Sequence, residues 1–235
     1  MNIVAIDPSL ISTAVVAGGP GGFKILNYCR DSDVYGKKGM GKWYKACEGH
    51  VSYRMIATTP HSGYSEGEVA KLQDYDRTTG MVIGDLGDVL DLGLATDVGI
   101  EGYNFGAKVG DLVDLVAFST ILRHKLLLVG ARVEVVSPMT LKQDACKLAY
   151  PPVDVGVRKP KLVWKNPQGI AGGLFTKREI FQSIVDSGAT DYWACHCRDV
   201  ADEILALRSV PKPYEDVNDA YVLYRRSLAR LAPVQ

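Results

Sequence analysis

The chain opens on NIVAIDPSLISTAVV, an apolar run rich in β-branched residues that is broken by the turn chemistry of Pro8 and Ser9. The pattern predicts a buried strand over 2–7, a neighbouring strand over 12–17, and a third over 23–29 after the glycine-rich turn 18–22. These three form a meander. Residues 31–50 are rich in glycine and lysine, too polar to be core, and are expected to be a mobile loop. Val51 to Thr58 is a candidate return to the sheet.

From Ser65 the period changes to that of a helix. Val69, Leu72, Tyr75, Val82, Ile83, Leu86 and Leu90 share one face, although Gly80 and Gly84 weaken it. A short strand follows at 97–103, then a second helix marked by Val109, Leu112, Val113, Val116 and Thr120 and stopped at Gly130. Arg132 to Val136 reads as a strand, and Pro138 opens a short helix through Lys147. Residues 150–173 contain four prolines and four glycines, which excludes regular structure and predicts an inserted loop. Thr176 with Glu179 forms a capping box for a helix to about Val185. A helix is expected over 199–208, and a last one carries the stripe Val217, Ala220, Tyr221, Tyr224, Leu228 and Leu231. Strands followed by alternating helices and strands fit a mixed sheet flanked by helices, in one domain of residues 1–235 with insertions at about 31–50 and 150–173.

Composition narrows the class. With 47% hydrophobic and 23% charged residues the chain can bury a full core, and no apolar run reaches the roughly 20 residues that cross a bilayer. The N-terminus lacks the flanks of a signal peptide, so a cytoplasmic location is expected. Five cysteines form no secreted-type disulfide framework. The triplet Cys195-His196-Cys197 suggests zinc, but the ligands are too close together and no second ligand pair follows, so ordinary side chains are the better reading. Net charge is zero, and affinity for a polyanion would have to come from patches. Residues 27–60 hold six basic against three acidic groups, and residues 142–180 hold eight against three.

Three places put an acid where local structure does not ask for one. Asp7 ends the first strand, Glu101 ends the strand 97–103, and Asp216 and Asp219 lie three apart on the first turn of the last helix, where they share a face. Each has a separate bland explanation: Asp7 as a cap of its turn, Glu101 as a partner for a lysine, and the aspartate pair as a complement to the helix dipole. A metal site explains all four together. Converging carboxylates repel one another unless a divalent cation neutralises them, and an all-oxygen set suits Mg²⁺ or Mn²⁺. Two such ions clamp a phosphodiester for hydrolysis, which is nuclease chemistry.

The same residues carry a family resemblance. AIDPSLISTAVV resembles the first strand and turn of RuvC-type Holliday-junction resolvases, and VGIEGYNFGAKVGDLVDLV resembles their second acidic strand and the helix after it. VEVVSPMTLKQ, TKREIFQSI and EDVNDAYVLYRRSL are similar to the next strand, the basic helical segment and the final D-x-x-D helix. The resemblance implies a ribonuclease H-like mixed five-stranded sheet and a Mg²⁺-dependent endonuclease of branched DNA that leaves 5′-phosphate and 3′-hydroxyl ends. It implies metal ligation by Asp7, Glu101, Asp216 and Asp219, with Asp7 bridging two ions. Lys142 and Lys177 would approach backbone phosphates, and Lys37, Lys38, Lys42, Lys108, Lys159 and Lys161 would add DNA contacts. Tyr103 or Phe105 would supply an aromatic wedge at a junction, with core packing as the competing role. Cutting two opposed strands of a four-way junction would need a homodimer. The long loops resemble the elaborated versions found in bacteriophages. Three other activities stay open at this point: a non-catalytic DNA-binding protein on the same fold, a ribonuclease H acting on RNA–DNA hybrids, and a kinase-like phosphotransferase, which would need a second glycine-rich phosphate turn that the sequence lacks.

Overall fold

The hairpin over residues 2–19 sets the frame of the molecule. In a computed structural model, which describes residues 1–19, 22–30, 41–90, 94–103, 109–154, 156, 162–163 and 176–231, β1 (Asn2–Asp7) pairs antiparallel with β2 (Ser12–Gly19). Their turn is closed by Thr13, whose hydroxyl donates to the Ser9 carbonyl (2.8 Å) and accepts from the Ser9 amide (3.2 Å). β3 (Gly22–Cys29) continues the meander. β5 (Thr96–Glu101) lies parallel to β1 on its other side, and β6 (Arg132–Val136) lies parallel to β5.

One edge differs from expectation. β4 (Val51–Met55) adds to β3 in parallel, so the order is β4-β3-β2-β1-β5-β6 and the sheet has six strands rather than five. β2 alone runs against the rest. A three-strand meander continued by two parallel strands beyond β1 is the ribonuclease H-like arrangement, with β4 as an extra edge.

Both faces of this sheet are covered, which is why β1 reads as an unbroken apolar run. Val4 and Ile6 pack with Val98 and Ile100 against α2 (Tyr64–Val89) and α3 (Val109–Leu128). Ile3 and Ala5 face a second core built with α4 (Pro138–Ala149), α5 (Lys177–Asp186), α6 (Tyr192–Asp199), α7 (Ala201–Leu205) and α8 (Tyr214–Leu231). The two cores follow the period-2 alternation of strand side chains.

Four local expectations are corrected. Residues 41–50 are not wholly a polar loop: α1 (Gly41–Ala46) buries Trp43 and Tyr44, and Cys47 is fully buried behind them. Two aromatics and a thiol outweighed the lysines around them. Residues 150–173 contain a short antiparallel ladder, β7 (Val153–Asp154) with β8 (Leu162–Val163). The expected helix over 199–208 is the shorter α7, and a helix that was not anticipated, α6, precedes it, started by Asp191, whose side chain accepts from the Ala194 amide at 3.1 Å. In α2 the apolar stripe is buried only towards its C-terminal end. Val82 and Leu86 are core, whereas Val69 and Leu72 are exposed; the first half of the helix meets α3 through the Lys71–Asp114 ion pair (3.1 Å) and the edge-on Tyr75–Phe118 contact (5.8 Å).

Candidate metal centre

Strand parity brings the two strand acids together. Asp7 follows Ile3 and Ala5 onto the α8 side of β1. On β5, Val98 and Ile100 face the opposite core, so Gly99 and Glu101 face α8. A Cβ at Gly99 would stand 3.4 Å from Ser227 Oγ of α8, so the helix lies directly over this face of β5. β1 and β5 are paired in register at Ile6 and Ile100, so Asp7 and Glu101 are neighbours one step further along.

Helix α8 supplies the remaining acids. It crosses β1, β2 and β5, and its residues Tyr214 and Asp216 to Tyr224 are all buried. Among the described residues, one group of three or more metal-competent side chains converges: Asp7, Glu101 and Asp219, each offering an oxygen within 4.8 Å of the others. Asp216, one turn away, is also buried but stands outside that group, tied to Lys212 by a 2.8 Å ion pair.

The electrostatics are those of an acid cluster short of positive charge. Burial, then the facing Glu101, pushes the Asp7 carboxyl well above its ordinary range, and the two carboxyls hydrogen-bond each other. Burial and Asp219 likewise raise Glu101. Asp219 is raised to about 7, first by burial, with Asp7 and Asp216 adding to the effect and Lys177 opposing it. Lys177, at the first turn of α5, donates to Asp219 Oδ2. Burial alone would lower its ammonium, but Asp219, Asp7 and Glu101 outweigh it and the net shift is upward. Lys142 on α4 also acts favourably on Glu101.

Oxygen donors of this kind fit a hard divalent cation. Asp219 Oδ1 and Asp216 Oδ2 are buried with no hydrogen-bond partner, which is costly in a site that lacks a cation to meet them. A divalent ion would be held by Asp7, Glu101 and Asp219, and it would remove the mutual repulsion that raises their pKa values.

The other residues singled out from the sequence are dispersed. Lys42 is exposed on α1 with its ammonium 4.2 Å from the Trp43 ring centre, and Trp43 packs edge-on to Tyr214 (6.0 Å, 85°). Tyr103 is half-buried, and its hydroxyl accepts from Arg123 of α3 (3.0 Å) while the guanidinium lies 4.7 Å from its ring centre. Lys37, Lys38, Phe105, Lys108, Lys159 and Lys161 lie outside the described residues. The Cys195-His196-Cys197 triplet falls on α6, where the Cys197 thiol is pushed up by burial and His196 Nε2 is 2.8 Å from the Tyr214 hydroxyl. Lys212 was not foreseen. Its signal is the i,i+4 spacing from Lys212 to Asp216 in KPYED, obscured by the intervening Pro213.

No family model and no curated protein matches the sequence. Solved structures do align. Thermus thermophilus RuvC in complex with a Holliday junction substrate is 13% identical, with 99% of this chain and 96% of that one covered and a TM-score of 0.48. A second Thermus thermophilus RuvC structure gives 15% identity, 98% and 96% coverage and a TM-score of 0.46. A Ppx/GppA family member from Aquifex aeolicus gives 12% identity, 98% and 90% coverage and a TM-score of 0.28. Among the described residues no helix is long and apolar enough to cross a membrane.

Proposed function

We propose that the protein is a Mg²⁺-dependent endonuclease that hydrolyses phosphodiesters in branched DNA, with four-way junctions as the preferred substrate. The observation that supports this most is the convergence of Asp7, Glu101 and Asp219 from two strands and a helix onto one spot. Buried acids that repel one another weaken a fold, so their gathering is best explained by a cation that the protein is built to receive. Mn²⁺ would substitute for Mg²⁺ on the same oxygens.

A bound divalent ion would polarise the scissile phosphate and lower the pKa of an attacking water. The chain's own side chains do the rest. Asp7 and Glu101, on adjacent rigid strands, fix the ion relative to the sheet. Asp219 completes the set from α8, and Lys177 holds Asp219 in place from α5 while offering an ammonium to a neighbouring phosphate oxygen. Lys142, beside Glu101, would contact a second phosphate. Products would carry 5′-phosphate and 3′-hydroxyl ends, and symmetric cutting of a junction would require two copies of the chain.

The deciding experiment incubates the purified protein with labelled four-way junction, linear duplex and RNA–DNA hybrid, in Mg²⁺ or in EDTA. Cutting of the junction alone, abolished by EDTA, is the expected result. Equal cutting of linear duplex would remove the junction preference, cutting of the hybrid alone would make the protein a ribonuclease H, and no cutting of any substrate would leave a DNA-binding protein.

A further inference from the structure

A cavity of about 140 Å³ lies on the face of the sheet opposite α8, between the turn after β1, the ends of β3 and β4, and helices α2 and α3. Leu10 and Ile56 give it aliphatic walls, and Tyr75 and Phe118, edge-on at 5.8 Å and 77°, bound it from the helices. Arg30, the residue after β3, is half-buried in its lining, and the Arg30 Nε is buried with no hydrogen-bond partner. A guanidinium nitrogen withdrawn from water without an acceptor is costly, so its place on a cavity points to an acceptor brought by a ligand.

The other charged groups of the lining already have partners within the chain. Asp114 pairs with Lys71 (3.1 Å), which also holds Glu68 (3.0 Å). Asp74 pairs with Arg77 and accepts from the amide (3.0 Å) and the hydroxyl (2.6 Å) of Thr59. Two carboxylates on the lining disfavour an anion such as a phosphate, and the unmet donor of Arg30 suits a neutral acceptor instead. The aromatic and aliphatic walls suit a flat apolar face. A nucleobase combines the two, because its edge carries carbonyl acceptors, and enzymes that take a base out of its stack hold it between apolar side chains with hydrogen bonds to that edge. A cavity of about 150 Å³ takes one benzene ring, so the space here fits one six-membered ring, that of a pyrimidine.

Position links this cavity to the acid cluster. Ser9 and Leu10, on its rim, belong to the turn that follows Asp7. Asp7 stands opposite Ala14, and Ala14 opposite Asn27, so Arg30 is two strands from Asp7 and three residues beyond its level, roughly 14 Å away by Cα at ordinary strand spacing and rise. A strand cut at the metal centre would bring a base here within a few nucleotides. We infer that the cavity beside Arg30 receives one unpaired pyrimidine base of the bound DNA, close to the scissile phosphate. The inference rests on the branched-DNA reading above and adds to it a base-binding site on the other face of the sheet.

The test removes bases one at a time. Four-way junctions with a single abasic site at successive positions around the exchange point are bound to Asp7→Asn in Mg²⁺, and to the same protein carrying Arg30→Met or Thr58→Trp. Thr58 is exposed on the cavity lining, so an indole there would obstruct the space without disturbing the core. One pyrimidine position is expected at which loss of the base weakens binding to Asp7→Asn about tenfold, the scale of one base held by side chains, and at which neither further variant responds. Arg30→Met should melt no lower than its parent, because the Arg30 Nε has no bond to lose. No sensitive position, sensitivity confined to purines, or the same loss in both further variants would overturn the inference, and cutting of the intact junction by the wild type would show that the nuclease reading survives it. An equal loss of affinity in Arg30→Met for intact and abasic junctions alike would make Arg30 a phosphate contact and also overturn it. If Arg30→Met does not fold, Thr58→Trp decides. A wild type that neither binds nor cuts the junction would overturn the branched-DNA reading, and this inference with it.

Discussion

The indole Nε1 of Trp193 donates a 3.0 Å hydrogen bond to Oδ1 of Asn218, the residue between the site's two helix acids and itself buried. The bond ties α6 to the first turns of α8, so the packing of one helix fixes the register of the other. Trp193→Phe keeps much of the ring's bulk but removes the shorter of the two donors to Asn218 Oδ1 and leaves it only the weak bond from the Cys197 thiol at 3.8 Å. A buried acceptor left without its donor costs about 1–3 kcal/mol. The variant should therefore unfold at lower denaturant with an unchanged m-value, and a denaturation curve checks this. Its Mn²⁺ affinity should also fall, because Asp219 loses part of its support. Unaltered stability would show that the bond contributes nothing to α8.

The carboxylate cluster predicts a pH dependence whose sign depends on metal. Asp219 is raised to about 7 in the fold, above its ordinary value of 3.8, first by burial. A carboxyl raised in the fold binds its proton more tightly there, so its contribution to stability is favourable below 3.8 and is lost as pH rises towards 7. A divalent ion competes for the ionised form. The gain in melting temperature on adding Mg²⁺ in place of EDTA should therefore be small near pH 4 and grow as the pH rises through 7, because the ion competes with protons on Asp219 and on the raised Asp7 and Glu101 carboxyls. Thermal melts in the two buffers check this, and a gain independent of pH would contradict the site.

Asp7→Asn separates the chemical role of that carboxylate from its cost to the fold. The amide removes one of the repelling charges that raise Asp7 and Glu101. In EDTA the variant should melt higher than wild type by a few degrees, roughly the effect of 1 kcal/mol in a chain of this size. In Mg²⁺ it should bind a labelled junction and fail to cut it. Normal turnover by Asp7→Asn would remove Asp7 from the site.

Much of this site was legible because strand parity and helix spacing are local rules. The apolar alternation of β1 places Asp7 on a definite face, and three-residue spacing puts Asp216 and Asp219 on one side of a helix. Sequence could not say that Lys212 would pair with Asp216, since that depends on the path of the chain around Pro213. Nor could it foresee α1. Trp43 and Tyr44 lie in a glycine- and lysine-rich stretch, and only the presence of Tyr214 and Tyr53 opposite them makes that stretch core. Likewise β4 was readable as β-prone, but its place as a sixth strand is a tertiary pairing that no local pattern specifies.

His196 provides an independent check of the packing on that side. Burial lowers its imidazole to about 4, and His50, stacked on it with ring centres 4.2 Å apart, adds to the effect. An imidazole lowered in the fold contributes stability above its ordinary 6.5 that is lost as pH falls from 6.5 to 4. In EDTA this runs opposite to the Asp219 effect, and the two are separated by watching the histidine directly. The His196 ring resonance in an NMR titration should move with a midpoint near 4, and a midpoint at 6 or above would mean that α6 is open to solvent at this point.

Lys142 tests how DNA would lie on the site. It acts favourably on Glu101 from α4, on the rim of the acid cluster. A lysine that neutralises one phosphate releases counterions, and each such contact adds about 0.9 to the slope of log affinity against log salt for duplex DNA. Binding of a labelled junction to Asp7→Asn should therefore weaken with salt, and adding Lys142→Ala should lower that slope by about one. The loss should be similar for junctions of different sequence, because a phosphate contact carries no base information. An unchanged slope would place Lys142 away from the DNA and leave it only an electrostatic role beside Glu101.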